Sequence, residues 1–380
     1  MIVGFTSTGS KRPDSLFGPE REGLPERMQR SSGCTVEAEG KSYLDFIMAL
    51  GAVALGYGHP AVTQSVFDAV QRGGVGPLAP EDEAAFAAEL SRAIPLLEQV
   101  LFLKTGAEAV AAAVRIARVA TGRDRVVSCG YHGWLDWCGD AGGIPAATQA
   151  LRLAIPFNDA ERTRSLLRTA GDSIAAVVVE PVVDAVPNGD WLTVLREETA
   201  HNGTVLIFDE IKTAFRLAIG GAAERWGIAP DLMVTGKAMA NGFPLAAVGG
   251  SRDVMQHATR TWISSTLATE FVAFAAARAT LKVMHEQQVP RYLTTVGTRL
   301  WNGLGRLADE HPRLGLVAAG IPEMCYLRHS SEQTSRRVTV ECARRGLLFK
   351  RSAYNFVSLA HDDASIDRAL AVLAEVLAAC

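Results

Sequence analysis

The 380-residue chain is expected to fold as an α/β protein around a mostly parallel sheet of about seven strands. Three observations predict this. Short apolar runs recur between residues 99 and 250: QVLFLK, DRVVSC, LRLAIPF, IAAVVVE, TVLIFDE, DLMVTG and LAAVGG. Helix-patterned segments, such as residues 107–120 and 191–202, separate several of them. The runs are continuously apolar, as strands covered by helices on both faces must be.

Taken in order, the chain to about residue 25 is rich in Gly, Pro, Ser and charge and reads as an irregular arm. Residues 34–46, CTVEAEGKSYLDF, alternate apolar and polar side chains around Gly40-Lys41, the pattern of a hairpin. The acid-first, Ala-rich stretch EDEAAFAAELSRA, residues 81–93, has helical spacing, with Pro80 as its start signal. After Glu270 a long helix, FVAFAAARATLKVMHEQ, is expected to leave the sheet region, and the terminal SIDRALAVLAEVLAA to close the chain as an amphipathic helix. The expected parts are residues 1–60, the arm and part of a small domain; 61–275, a large ligand-binding domain; and 276–380, the C-terminal remainder of the small domain. The small domain, α+β in kind, is thus built from both termini.

Charge narrows the function. With 38 Lys and Arg against 41 Asp and Glu, and no basic block, the chain has no electrostatic footprint for nucleic acid or an anionic membrane, so a small molecule is the expected ligand. Cys34, Cys129, Cys138, Cys325, Cys342 and Cys380 form no CxxC pair, which argues against a structural zinc site or a disulfide scaffold and fits a reducing cytoplasm. The N-terminus has no apolar signal region, and no apolar run reaches the roughly 18 residues of a membrane span. No metal site is expected.

Four predicted strand ends carry polar residues where open α/β sheets bind ligands. Thr105-Gly106-Ala107-Glu108 lies between a strand and a helix, so its free N–H groups suit a phosphate, though many such turns hold Gly for geometry alone. Gly130-Tyr131-His132-Gly133-Trp134 offers an aromatic to stack on a planar ring, or is simply a packed loop with His132 hydrogen-bonded in place. TVLIFDE ends in Asp209, an acid at the edge of an apolar core that needs a cation, a metal or a protonated nitrogen. A magnesium-nucleotide reading of that pattern requires a GxxxxGK[ST] loop, and none is present. Lys237, 28 residues beyond Asp209, sits among small residues and glycines, where a desolvated amine loses proton affinity and becomes fit for a Schiff base. The four together point to pyridoxal phosphate: a helix terminus for its phosphate, an aromatic for its ring, an acid for its nitrogen and an amine for its aldehyde.

At this point GKSYLDF, LGYGHPAV, TGAEAVAAAVRIARVATGRDRVV, YHGW, VVVEPV, FDEIKTAFR, APDLMVTGKAMANGFPLAAVGG and VSLAHDDASIDRAL become readable together. The chain resembles the class III pyridoxal phosphate-dependent aminotransferases, especially the glutamate-1-semialdehyde 2,1-aminomutase branch. The resemblance implies a type I aminotransferase fold and a homodimer with a shared active site, acting on a small amine donor and a carbonyl acceptor. It implies that Lys237 bonds the cofactor aldehyde and shuttles the substrate proton, and that Asp209 pairs with the ring nitrogen. Ile211 and Tyr131 would cover the two ring faces, with His132 beside them. Thr105, Gly106 and Ala107 would hold the phosphate, Thr266 would reach the phosphate of the neighbouring subunit, and Glu180 would lie near the ring.

The departures fall in the substrate shell. Ala107 stands where the branch has Thr or Ser, and Lys212 where Met or Gln is usual. KRSAYNF replaces the pattern APSQYEAGF, so Asn355 takes an acidic position and Lys350 and Arg351 are added as candidate carboxylate binders. Trp134, with Trp137, is a candidate pocket wall. The arginine-bearing SPVR motif is not recognisable. These changes favour a biosynthetic aminotransferase that moves an amino group from a glutamate-like donor to a specialised ketone or aldehyde by a ping-pong route. The alternatives are intramolecular transfer of the aminomutase type and a non-catalytic binding protein.

Overall fold

The hairpin at the start of the chain follows from a turn that only left-handed residues can make. In the computed structural model, which describes residues 2–19 and 21–380, β1 (Met28–Ser32), β2 (Thr35–Ala38) and β3 (Lys41–Asp45) form an antiparallel meander. The β2–β3 turn is Glu39-Gly40, at φ 51° and 76°, the pair of positive angles that a two-residue type I′ turn requires. The turn therefore falls one residue ahead of the expected Gly40-Lys41.

Seven strands build the large sheet: β4 (Gln99–Leu103), β5 (Arg125–Cys129), β6 (Arg152–Ala154), β7 (Ile174–Val179), β8 (Val205–Asp209), β9 (Leu232–Thr235) and β10 (Ala246–Gly250). Their order is β4-β10-β9-β8-β7-β5-β6. Only β10 is antiparallel to its neighbours, so β4, β9, β8, β7, β5 and β6 all point the same way. This is the mostly parallel sheet expected. Further on, β11 (Val317–Ile321) and β12 (Met324–Arg328) pair antiparallel, β13 (Leu347–Leu348) joins β3 in parallel, and β14 (Asn355–Phe356) pairs with β12.

Successive side chains of a strand face opposite ways, so the central strands feed two cores. On one face Ala176, Val178, Ile207 and Val234 pack with Ala109, Val110, Ala113 and Ile116 of the helix Gly106–Thr121. On the other, Val177, Val179, Leu206 and Phe208 pack with Trp191, Leu192 and Leu195 of the helix Gly189–Asn202. All six residues of β7 are buried.

The chain divides into two units, one up to Pro60 together with Arg291–Cys380, the other Ala61–Pro290. The second unit thus runs past residue 275 and keeps the helix Phe271–Glu286, which was expected to leave the sheet region. Its alanines explain this: Ala273, Ala275, Ala276 and Ala277 are buried, and Phe274 sits edge-on to Phe102 of β4. Nor is the arm of the first unit wholly irregular. Pro13–Phe17 forms a helical turn with Pro at its start, and Phe17 and Leu24 pack with Val340 and Ala343. No helix among the described residues is long and apolar enough to cross a membrane.

The end of β8 is fastened by Glu210. Its carboxylate accepts the N–H groups of Ala222 at 2.9 Å and Ala223 at 2.7 Å, and the hydroxyl of Thr213. Burial nevertheless pushes this carboxyl up from 4.5 to about 7, against the pull of those donors. A carboxyl with a raised folded pKa binds its proton more tightly in the native chain, so its contribution to stability is present below pH 4.5 and is lost as pH rises through 7. Glu210→Gln should therefore flatten a decline on the order of 3 kcal/mol across that window, read from denaturation midpoints against pH.

Candidate active site

Because β4, β5, β7, β8 and β9 run the same way, their carboxyl ends emerge on one edge of the sheet, the edge where ligands bind. Each end delivers a different group.

After β4, Thr105 caps the 16-residue helix Gly106–Thr121. Its hydroxyl accepts the Glu108 N–H at 3.2 Å and donates to Glu108 Oε2 at 3.0 Å, while the same carboxylate oxygen accepts the Thr105 N–H at 2.9 Å. This capping box occupies the Thr105 hydroxyl. What remains for an anion is the N–H groups of Gly106 and Ala107, which have no carbonyl four residues back and lie at the positive end of the helix.

After β5 comes the loop Gly130-Tyr131-His132-Gly133. His132 Nδ1 lies 2.8 Å from Asp209 Oδ2, with the two side chains only 1% and 4% exposed. The imidazole stacks on Trp137 at 5.9 Å between centroids, and its Nε2 is buried with no hydrogen-bond partner among the described residues. Asp209 Oδ1 in turn accepts the Ile211 N–H at 3.2 Å. After β7, Glu180 accepts the Tyr131 N–H through Oε2 at 2.9 Å and pairs through Oε1 with Lys212 Nζ, also at 2.9 Å. Lys212 therefore faces neither solvent nor an empty edge.

After β9, Lys237 stands at φ 45° at the start of a short 3-10 turn. Burial and the nearby Lys212 hold its amine below the ordinary lysine value; Glu180 and Asp209 pull the other way, and Arg216 reinforces the depression. Lys212, Arg216, Glu180 and Asp209 are thus charged neighbours of Lys237.

Glycines allow the loops to meet. A Cβ on Gly106 would lie 3.0 Å, and one on Gly236 2.8 Å, from the same Cδ1 atom of Ile211. A Cβ on Gly133, at φ 103°, would lie 2.6 Å from that of Ala107, and one on Gly130 2.7 Å from Glu180 Oε2. The cradle thus brings together Gly106, Ala107, His132, Glu180, Asp209, Ile211 and Lys237. Tyr131 and Trp134 stand at its rim with 73% and 77% of their surface exposed, and Thr266 is exposed too.

Lys350 and Arg351 belong to the other unit, where each already has a partner. Lys350 Nζ donates to the Ala353 carbonyl at 3.0 Å, and Arg351 pairs with Glu332. Asn355 clasps the backbone of Lys350, accepting its N–H at 2.6 Å and donating to its carbonyl at 3.0 Å. Sequence reasoning missed Arg216, which is fully buried. It also noted Lys212 only as a departure, although two cations just after the acids of a strand end were the available signal.

The donor set fits pyridoxal phosphate. The helix end offers N–H groups to its phosphate, a buried carboxylate backed by an imidazole suits a protonated ring nitrogen, and an amine of lowered proton affinity suits its aldehyde. Packing of the loops is the most easily tested part of this arrangement. Gly133→Ala must strain a left-handed backbone and collide with Ala107, so urea unfolding should show a loss of about 1–3 kcal/mol.

Comparison with known proteins supplies the remaining evidence. The family description Aminotransferase class-III matches residues 18–377. The glutamate-1-semialdehyde 2,1-aminomutase of Methanothermobacter thermautotrophicus is 33% identical, over 98% of this chain and 97% of its own. Among solved structures, the FumI protein of Sphingopyxis sp. MTA144, in its PLP internal aldimine form, superposes with a TM-score of 0.92 at 24% identity, over 97% of this chain and 91% of that one. An omega-transaminase from Sphaerobacter thermophilus superposes with a TM-score of 0.87 at 26% identity, over 92% and 90% of the two chains. The chain has the type I aminotransferase fold and belongs to the class-III aminotransferases, enzymes that work with pyridoxal phosphate.

Proposed function

We propose that the protein moves an amino group between two carbons of one small substrate, as the names of its curated relatives describe for glutamate 1-semialdehyde. The observation that carries this is identity of 33% with such an aminomutase across 98% of the chain. It reverses the preference for transfer between two substrates drawn from sequence. That preference rested on Ala107, Lys212, Asn355 and the missing SPVR motif, each a local change. One structural observation keeps transamination as a second reading: Lys212 puts a buried cation into the cradle where the branch has a neutral side chain.

Pyridoxal phosphate, when bound, supplies an aldehyde for the substrate amine and a ring that accepts the electron pair left by a broken Cα–H bond. Lys237 would offer the amine that holds the aldehyde and, when the substrate amine takes its place there, would be the base that carries a proton between the amine-bearing substrate carbon and the cofactor carbon of the aldehyde. Asp209 would pair with the ring nitrogen and favour its protonated form, and His132 holds that carboxylate in place from behind. Ile211 and Tyr131 would cover the two faces of the ring, and Gly106 and Ala107 would hold the phosphate by their N–H groups. Thr105 contributes by capping the helix, and Glu180 orders the Tyr131 loop. Exposed Tyr131, Trp134 and Thr266 support a homodimer with a shared site, since large exposed aromatics at a ligand edge suit cover by a second copy. We place it in the cytoplasm, in a biosynthetic role; six cysteines without a disulfide support that compartment.

Lys237→Ala should bind the cofactor without a covalent link and lose turnover by a factor of at least about 10³, measured by single-turnover absorbance. The two readings separate on substrate alone. Consumption of glutamate 1-semialdehyde with no second substrate supports intramolecular transfer. Conversion of the bound cofactor to its amine form by L-glutamate, with no reaction of the semialdehyde, would replace it by transamination.

A further inference from the structure

Two lysines enter the cradle, and their surroundings differ. Lys212 Nζ lies 2.9 Å from Glu180 Oε1, and the two side chains are only 8% and 12% exposed. Glu180 is held in turn: its other oxygen accepts the Tyr131 N–H at 2.9 Å, and it lies so close to Gly130 that a Cβ there would stand 2.7 Å away. Lys212 also follows directly on Ile211, whose Cδ1 abuts Gly236, the residue before Lys237. Its charge is therefore fixed in place.

The charged groups facing Lys237 are Lys212 and Arg216 from the segment after β8, Glu180 from the end of β7 and Asp209 from the end of β8, with His132 behind Asp209. Two cations and two carboxylates balance. A proton on Lys237 would make this buried group net positive, whereas a neutral amine leaves it balanced.

We propose that Lys212 is a positioning residue of this site, a fixed cation locked by Glu180 that reserves Lys237 as the amine acting as nucleophile and base. The proposal rests on the reading of Lys237 as the cofactor lysine. Without Lys212, Glu180 keeps only the Tyr131 N–H and becomes a carboxylate without a cation partner beside Lys237, which favours the ammonium, neither nucleophile nor base. Neighbouring ionisable groups whose surroundings push them apart divide the acid and base roles in this way.

The test compares wild type, Lys212→Met, Lys212→Arg and the double variant Lys212→Met with Glu180→Gln. In the cofactor-free full-length chain, acetylation of Lys237 by acetic anhydride is followed against pH by mass spectrometry. In the holoenzyme, the visible absorbance of the cofactor is titrated over the same range. Lys212→Met should raise the labelling midpoint by about one unit or more, Lys212→Arg should stay at the wild-type value, and the double variant should return toward it. The absorbance midpoints should follow the same order. An unchanged midpoint in folded Lys212→Met overturns the proposal, as does an equal rise in Lys212→Arg. Where Met at this position prevents folding, Lys212→Gln replaces it, with the same expected rise. Failure of the functional reading looks different: the wild-type holoenzyme would show no cofactor absorbance that depends on Lys237, whatever the labelling gives.

Discussion

A strand that ends in an acid inside a packed sheet must have that charge answered, and at the end of β8 the answer comes from β5, through His132. Leaving such a carboxylate unpaired costs several kcal/mol, so the His132–Asp209 contact at 2.8 Å constrains everything near it. The loop after β5 must cross to the middle of the sheet, which needs Gly130 and Gly133 in left-handed conformations. Crossing also brings the Tyr131 N–H onto Glu180 and Gly133 onto Ala107. One buried pair thus sets the course of a loop that touches three other strand ends.

The same logic extends outward in layers. Asp209 is met by His132, Glu180 by Lys212, and Glu210 by two helix N–H groups and a hydroxyl. None of the three acids at this edge lies against apolar side chains alone. The sheet supplies a low dielectric and the loops supply compensation, so a small imbalance in charge is felt strongly by whatever amine stands among them. Lys237 is that amine.

Much of this was legible in the sequence because the signals were local. The seven apolar runs gave the seven strands, since a strand buried on both faces has no alternative to an apolar side chain at every position, as the all-buried β7 illustrates. The helix at residues 81–93 was readable for a similar reason: its acids, its alanines and Pro80 all agree. Asp209 and Lys237 stood out because a charge beside an apolar run is rare. What escaped depended on contacts between distant segments. The partnership of Lys212 with Glu180 spans 32 residues and three-dimensional packing decides it, so either orientation of Lys212 was compatible with the sequence. Arg216 looked like any arginine after a loop. The alanines of the helix at 271–286 read as helix formers in the sequence, and only the packing shows that four of them are buried. Nor did the sequence show that Glu332 would partner Arg351 and the Ala353 carbonyl Lys350.

Ile211 carries a consequence of its own. A single methyl group lies against both Gly106, at the start of the helix after β4, and Gly236, the residue before Lys237. Those two turns belong to strands separated in the sheet by β10, and no backbone hydrogen bond links β4 to β9 directly. β10 fixes the spacing of the two strands, and the methyl group fills the gap between the turns that follow them, so a change of side chain at 211 alters the fit of both turns at once.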